Sequence, residues 1–207
     1  MGSALHVCHV STAGSAEIIR WAKSKGWPVT AEVTPHHLLL TDELAVGYDP
    51  VFKVNPPLRT AADVAELRRA LADGTIDCVA TDHAPHPVEA KETEWSEAAF
   101  GMTGLETALR VVQQAMVETG LLDWAGVADR MSVRPARIGR LTGQGVPIAV
   151  GGPANLTLYD PAAPAEAVSP VGASKSRNTP FAGMPLPGRV VATFLRGVPT
   201  VLDGKLA

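Results

Sequence analysis

The chain has 207 residues, enough to bury one good core with or without a small appendage, and 19 Gly with 17 Pro imply many loops. A net charge of −3 and a pI near 6.1 leave no basic field for nucleic acid. No apolar run reaches membrane-spanning length, and Cys8 and Cys78 sit in apolar strand-like runs that argue for free thiols and a reducing, cytoplasmic setting.

The first predicted element is a strand over Leu5–Val10, with Leu5, Val7 and His9 on one face and His6, Cys8 and Val10 on the other. Only Met1-Gly2-Ser3-Ala4 precedes it. A central strand rarely opens a complete domain, so further chain is expected upstream. A helix carrying Ile18, Ile19 and Ala22 follows and ends at Gly26, and Val29–Thr34 is a second strand stopped by Pro35. Strand, helix, strand calls for a parallel sheet.

Residues 41–59 form an irregular connection through Asn55-Pro56-Pro57-Leu58-Arg59, and long irregular loops in compact domains tend to be functional. Thr60 caps a helix with Val64, Leu67, Ala70 and Leu71 on one stripe, closed by Gly74. The short run Cys78-Val79-Ala80 then reads as a buried strand, leading into Thr81-Asp82-His83-Ala84-Pro85-His86. Strict alternation places Asp82 on the face of Cys78 and Ala80.

Downstream, Thr103 and Glu106 have capping-box spacing for a helix facing inward through Leu105, Ala108, Leu109, Val112 and Met116. Two shorter helices are predicted, one from about Asp123 with Trp124, Val127 and Met131, the other opened by Pro135. From Gly143 the texture changes. Asn155–Asp160, Val190–Leu195 and Val198–Leu202 read as strands of a small β unit, which divides the chain into residues 1–143 and 144–207.

His9 and Asp82 both end predicted parallel strands, so both project at one rim, where α/β sheets and barrels carry their chemistry. A neutral imidazole and a carboxylate are good zinc ligands. Taken singly, each candidate has an ordinary explanation: a histidine packed in a sheet, a capping aspartate, a turn asparagine at Asn55, a solvated His86.

Taken together they resemble a family. His6-Val7-Cys8-His9-Val10-Ser11-Thr12, Thr34-Pro35-His36-His37, Asn55-Pro56-Pro57-Leu58-Arg59, Thr81–His86, Phe100-Gly101, Ser174–Phe181 and Leu186–Val190 are similar, in order and nearly end to end, to bacterial class I dihydroorotases of the amidohydrolase superfamily. The resemblance implies strands six to eight of a (β/α)8 barrel with their helices, followed by part of a small β-sandwich domain. It implies reversible hydrolysis of (S)-dihydroorotate to N-carbamoyl-L-aspartate in pyrimidine synthesis, with zinc as cofactor. His9 and Asp82 take the part of metal ligands, Asp82 also that of general acid/base, and Asn55, His86, Phe100 and Gly101 that of substrate contacts. The family's His-x-His-x-Arg, its bridging acid or modified lysine and its fifth-strand histidine have no counterpart here, so these residues alone are expected to bind zinc weakly and turn over little. Allantoinase or hydantoinase is the rival enzyme reading. A non-catalytic scaffold binding aspartate carbamoyltransferase, or a second copy in a homodimer, is the rival of another class.

Overall fold

A computed structural model describes residues 2–207. Its first part is β1 (Leu5–Val7), α1 (Ala13–Ser24), β2 (Val29–Val33), α2 (Pro35–Leu39), α3 (Ala61–Asp73) and β3 (Cys78–Val79). The three strands make one parallel sheet in the order β1-β2-β3, with Leu5 opposite Val29 and Glu32 opposite Cys78. The pleat sorts β2 by chemistry. Ala31 and Val33 are fully buried in a core shared with Ile19, Leu67, Leu71 and Ile76. Thr30 and Glu32 turn to the other face, where both hydrogen-bond His6.

Two helices are capped by the threonines that precede them. The Thr12 hydroxyl accepts from the Ser15 amide to cap α1, and the Thr60 hydroxyl does the same for Asp63 at α3, which Gly74 ends at φ +88°. Ile19 and Ala22 are buried as expected, but Ile18 is 66% exposed because it falls on the outer side of α1.

Two expectations about strand ends are corrected. The strands stop at Val7 and Val79, and beyond them His9 (φ 54°) and Asp82 (φ 48°) adopt left-handed backbone. Alternation therefore does not carry through to Asp82. The αL twist re-aims each side chain at the strand tip, a conformation that non-glycine residues adopt at a cost of about 1–3 kcal/mol.

The capping box at Thr103 and Glu106 does not form. The Thr103 amide donates to the Asn178 carbonyl (3.0 Å), and the Glu106 carboxylate accepts from the Ala173 amide (2.9 Å). Distant partners thus claim both groups, Leu105 stays 62% exposed, and α4 (Ala108–Val112) starts later and runs into a π turn at Gln113–Val117. The two helices expected after Asp123 are one continuous run: α5 (Trp124–Ala128), a π turn at Asp129–Val133, and α6 (Arg134–Ile138). The wide turn precedes Pro135, which has no N–H to give.

The last part is β4 (Leu156–Asp160), β5 (Glu166–Ala167), β6 (Pro185–Leu186), β7 (Arg189–Leu195), β8 (Val198–Leu202) and β9 (Lys205–Leu206). The antiparallel sheet β4-β7-β8-β9 and the β5-β6 pair are joined to α4 by polar anchors. Tyr159 Oη donates to Gln113 Oε1 (2.6 Å), and the Arg110 guanidinium donates to the Glu166 (2.8 Å) and Leu186 carbonyls. A second core of Leu40, Val54, Leu58, Met102, Val111, Phe181 and Leu186 fills the space between these parts. No helix among the described residues is long and apolar enough to cross a membrane.

Candidate metal centre and the loops around it

His9 and Asp82, 73 positions apart in sequence, meet at the strand tips: His9 Nε2 lies 3.6 Å from Asp82 Oδ1. Both side chains keep about a quarter of their surface open, so the pair is reachable. Two donors on one tetrahedral zinc stand about 3.4 Å apart, given bonds of roughly 2.0–2.2 Å. The spacing and the donor chemistry fit a shared divalent ion.

Behind the pair, Glu32 stands between two histidines. Its Oε1 lies 2.9 Å from His9 Nδ1, an ion-pair distance without aligned hydrogen-bond geometry, and its Oε2 lies 3.0 Å from His6 Nε2. A carboxylate on the far nitrogen of a metal-binding imidazole favours the tautomer whose Nε2 lone pair is free. His6, Glu32 and Cys78 also form a cluster with donor atoms within 4.8 Å of one another. Both Glu32 oxygens are already engaged there, and burial beside Glu32 pushes the Cys78 thiol up to about 12. That cluster therefore supports His9 better than it offers a centre of its own. Glu32 and His6 were not singled out in the sequence; the period-two spacing of Thr30 and Glu32 opposite His6 was the available signal.

The Asn55 loop is held from below. His37 Nε2 donates to the Pro56 (3.1 Å) and Pro57 (3.2 Å) carbonyls, so its Nδ1 is the acceptor for the Thr34 hydroxyl at 2.7 Å. Burial drives the His37 pKa down to about 4, partly opposed by those carbonyls, and His36 beside it is lowered as well, by burial first and then by its histidine neighbours. Arg59, at the end of the same loop, donates to Ser11 Oγ at the tip of β1. Asn55 itself is exposed.

The remaining predicted residues gather on the loops after β3. His86 Nε2 donates to the Phe100 carbonyl (2.8 Å), which leaves Nδ1 as its open ring nitrogen. Gly101 has φ +123°, and a Cβ there would lie 2.6 Å from Ala84 Cβ and 3.2 Å from His86 Nε2, so only glycine fits. The Gly101 amide donates to the Lys53 carbonyl, tying this turn to the stretch that leads into Asn55. Asn178 closes the group: its side-chain amide donates to the Ala84 (2.9 Å) and Gly101 (3.3 Å) carbonyls, and its Oδ1 accepts from the His86 amide (3.3 Å).

A rim histidine and a rim carboxylate, with a second carboxylate behind the histidine, offer donor atoms for one divalent ion, and Asn55 and His86 stand on separate loops. The profile of the amidohydrolase family matches residues 2–200. The chain belongs to the amidohydrolase family. Among curated amidohydrolase relatives, dihydroorotase of Streptomyces coelicolor is 68% identical over 207 residues, all of this chain and 48% of that protein. Dihydroorotase of Mycobacterium tuberculosis is 56% identical over 205 residues, 99% of this chain and 48% of that one. Among solved structures, L-hydantoinase from Arthrobacter aurescens superposes with a TM-score of 0.88 at 34% identity, covering all of this chain and 46% of that one. The chain thus spans about half the length of the relatives it matches.

Proposed function

We propose that this chain is the C-terminal part of a dihydroorotase, which hydrolyses the ring amide of dihydroorotate to N-carbamoyl-aspartate and reverses the step in cytoplasmic pyrimidine synthesis. One observation carries the reading: identity to a dihydroorotase is 68% along the whole chain, twice the 34% to a hydantoinase of the same fold. On this reading residues 1–143 are an arc of a (β/α)8 barrel and residues 144–207 a segment of its small β domain.

His9 and Asp82 would hold zinc, together with ligands from the rest of the enzyme. A zinc ion held there would supply Lewis acidity, polarising the ring carbonyl and lowering the pKa of water. Asp82 takes the proton of the attacking water and returns it to the leaving ring nitrogen. A carboxylate that both binds the ion and carries the proton must be rigid. Asp82 lies three residues past β3, in a segment held on both sides where the Ala80 and Ala84 amides donate to the Val33 and Met102 carbonyls. His86 presents Nδ1 to the substrate carboxylate, and because Nε2–H is committed to Phe100, donation from Nδ1 requires the imidazolium. Asn55 and the Phe100-Gly101 main chain border the ring.

The test is a hybrid enzyme in which this chain replaces the corresponding 48% of the S. coelicolor relative. Chelator-sensitive turnover of dihydroorotate, with hydantoin and allantoin turned over far more slowly, is the expected result. Preference for either of those neutral rings would refute the assignment. The 207-residue chain alone is expected to bind zinc weakly, because one His and one Asp are too few ligands for a stable site.

A further inference from the structure

Lys91 stands out among the charged groups outside the metal centre. Only 8% exposed, it hydrogen-bonds three main-chain carbonyls: Ala99 (2.9 Å), Gly101 (2.9 Å) and Lys53 (3.3 Å). Burial first, and then the Lys53 ammonium, pulls its pKa down to about 8, against a weak opposing pull from Asp49. A buried ammonium costs stability, and an isosteric apolar side chain would spare that cost. What the charge provides is position.

The geometry supports this. Ala99 and Gly101 flank Phe100, and both turn their carbonyls to Lys91, while the Phe100 carbonyl turns away to His86 Nε2. The ammonium therefore selects the orientation of successive peptides at Phe100-Gly101. Its third acceptor, the Lys53 carbonyl, also receives the Gly101 amide, two residues before Asn55. One cation thus joins the Asn55 loop to the Phe100-Gly101 turn. Lys53 reinforces the same seam, its ammonium donating to the Ser96 carbonyl (3.0 Å) and lying 4.6 Å from the centre of the Phe100 ring.

Resting on the dihydroorotase reading, we propose that Lys91 is a positioning residue, whose ammonium sets the Phe100-Gly101 main chain and the Asn55 loop in the one relative placement that borders the substrate ring. It touches no reacting atom and acts through the carbonyls it gathers.

The experiment uses the hybrid enzyme with Lys91→Met, and with Lys91→Arg as a second variant whose planar fork does not match three converging carbonyls. Turnover of dihydroorotate by the unsubstituted hybrid tests the function itself. The Lys91 proposal is tested by the split between constants. The expected result for Met is a KM raised about tenfold or more with kcat within about threefold, since misplaced contacts weaken binding without touching the proton carrier. Unchanged KM, or a fall in kcat alone, overturns it. Should Met prevent folding, the Arg variant decides: a raised KM upholds the assignment and wild-type constants overturn it. Amide hydrogen exchange on the hybrid protein provides a readout independent of activity. The Gly101 amide is expected to lose at least about tenfold of its protection in Lys91→Met, with the α3 amides unchanged, and equal protection at Gly101 in both proteins overturns the proposal even if the hybrid proves inactive.

Discussion

His9 Nε2 and Asp82 Oδ1 stand 3.6 Å apart although each lies just past a different strand, and both have left-handed backbone. The two strands are not neighbours: β2 lies between them, and its Glu32 reaches the back of His9. The pair is thus built by sheet order and by two local twists. Asp82→Asn keeps the shape and removes the proton carrier, so the hybrid enzyme is expected to lose about 10²–10⁴-fold in kcat while still folding. His9→Ala is expected to lose metal first, which equilibrium dialysis against zinc would register. An Asp82→Asn enzyme with wild-type kcat would remove Asp82 from the chemistry.

Glu32 offers a separable prediction. Because its carboxylate is shared between His9 and His6, Glu32→Gln weakens the hold on His9 without touching a metal ligand. The expected effect is a loss of about 10–100-fold in zinc affinity, measured by competition with a chromophoric chelator. Equal affinity in both proteins would show that His9 is oriented by packing alone.

Gly101 is set by space as well as by φ. A methyl group at φ +123° meets Ala84 Cβ at 2.6 Å, so Gly101→Ala must shift the turn that carries the Phe100 carbonyl to His86. We expect a destabilisation of about 1–3 kcal/mol from the strained backbone and a raised KM. Denaturant unfolding and steady-state kinetics on one preparation would measure both, and a variant as stable as wild type would mean the turn has slack.

Much of this was legible in the chain because local and global signals agree there. Thr60 caps the helix it precedes, and the apolar stripe Val64, Leu67, Ala70, Leu71 is buried in full. The ends of strands were not legible, since nothing in Cys8-His9-Val10 or Thr81-Asp82-His83 announces a positive φ on a non-glycine residue. The capping-box spacing at Thr103 and Glu106 misled because long-range partners, Asn178 and the Ala173 amide, outbid a local bond. Lys91 carries no motif or periodicity of its own in the sequence. Its role depends on carbonyls 38 and 10 residues away as well as one nearby, which no periodicity reveals.

His37 gives the chain a defined response to acid. Its folded pKa of about 4 lies below the ordinary 6.5, because burial disfavours the imidazolium. Between those values the unfolded chain binds a proton that the folded chain does not, so stability falls as pH drops from about 6.5 towards 4 and levels off below. The full difference corresponds to about 3 kcal/mol. Carboxylates held low by partners, such as Asp63 and Glu66, also lose their contribution as pH falls through their folded pKa values. The comparison must therefore be with His37→Gln, which retains an amide donor for the Pro56 and Pro57 carbonyls and does not titrate. Urea unfolding from pH 7 to pH 4 is expected to show the wild type losing more stability than the variant, most of it below pH 6.5. Parallel curves would mean that His37 titrates alike in both states and that burial does not hold it neutral.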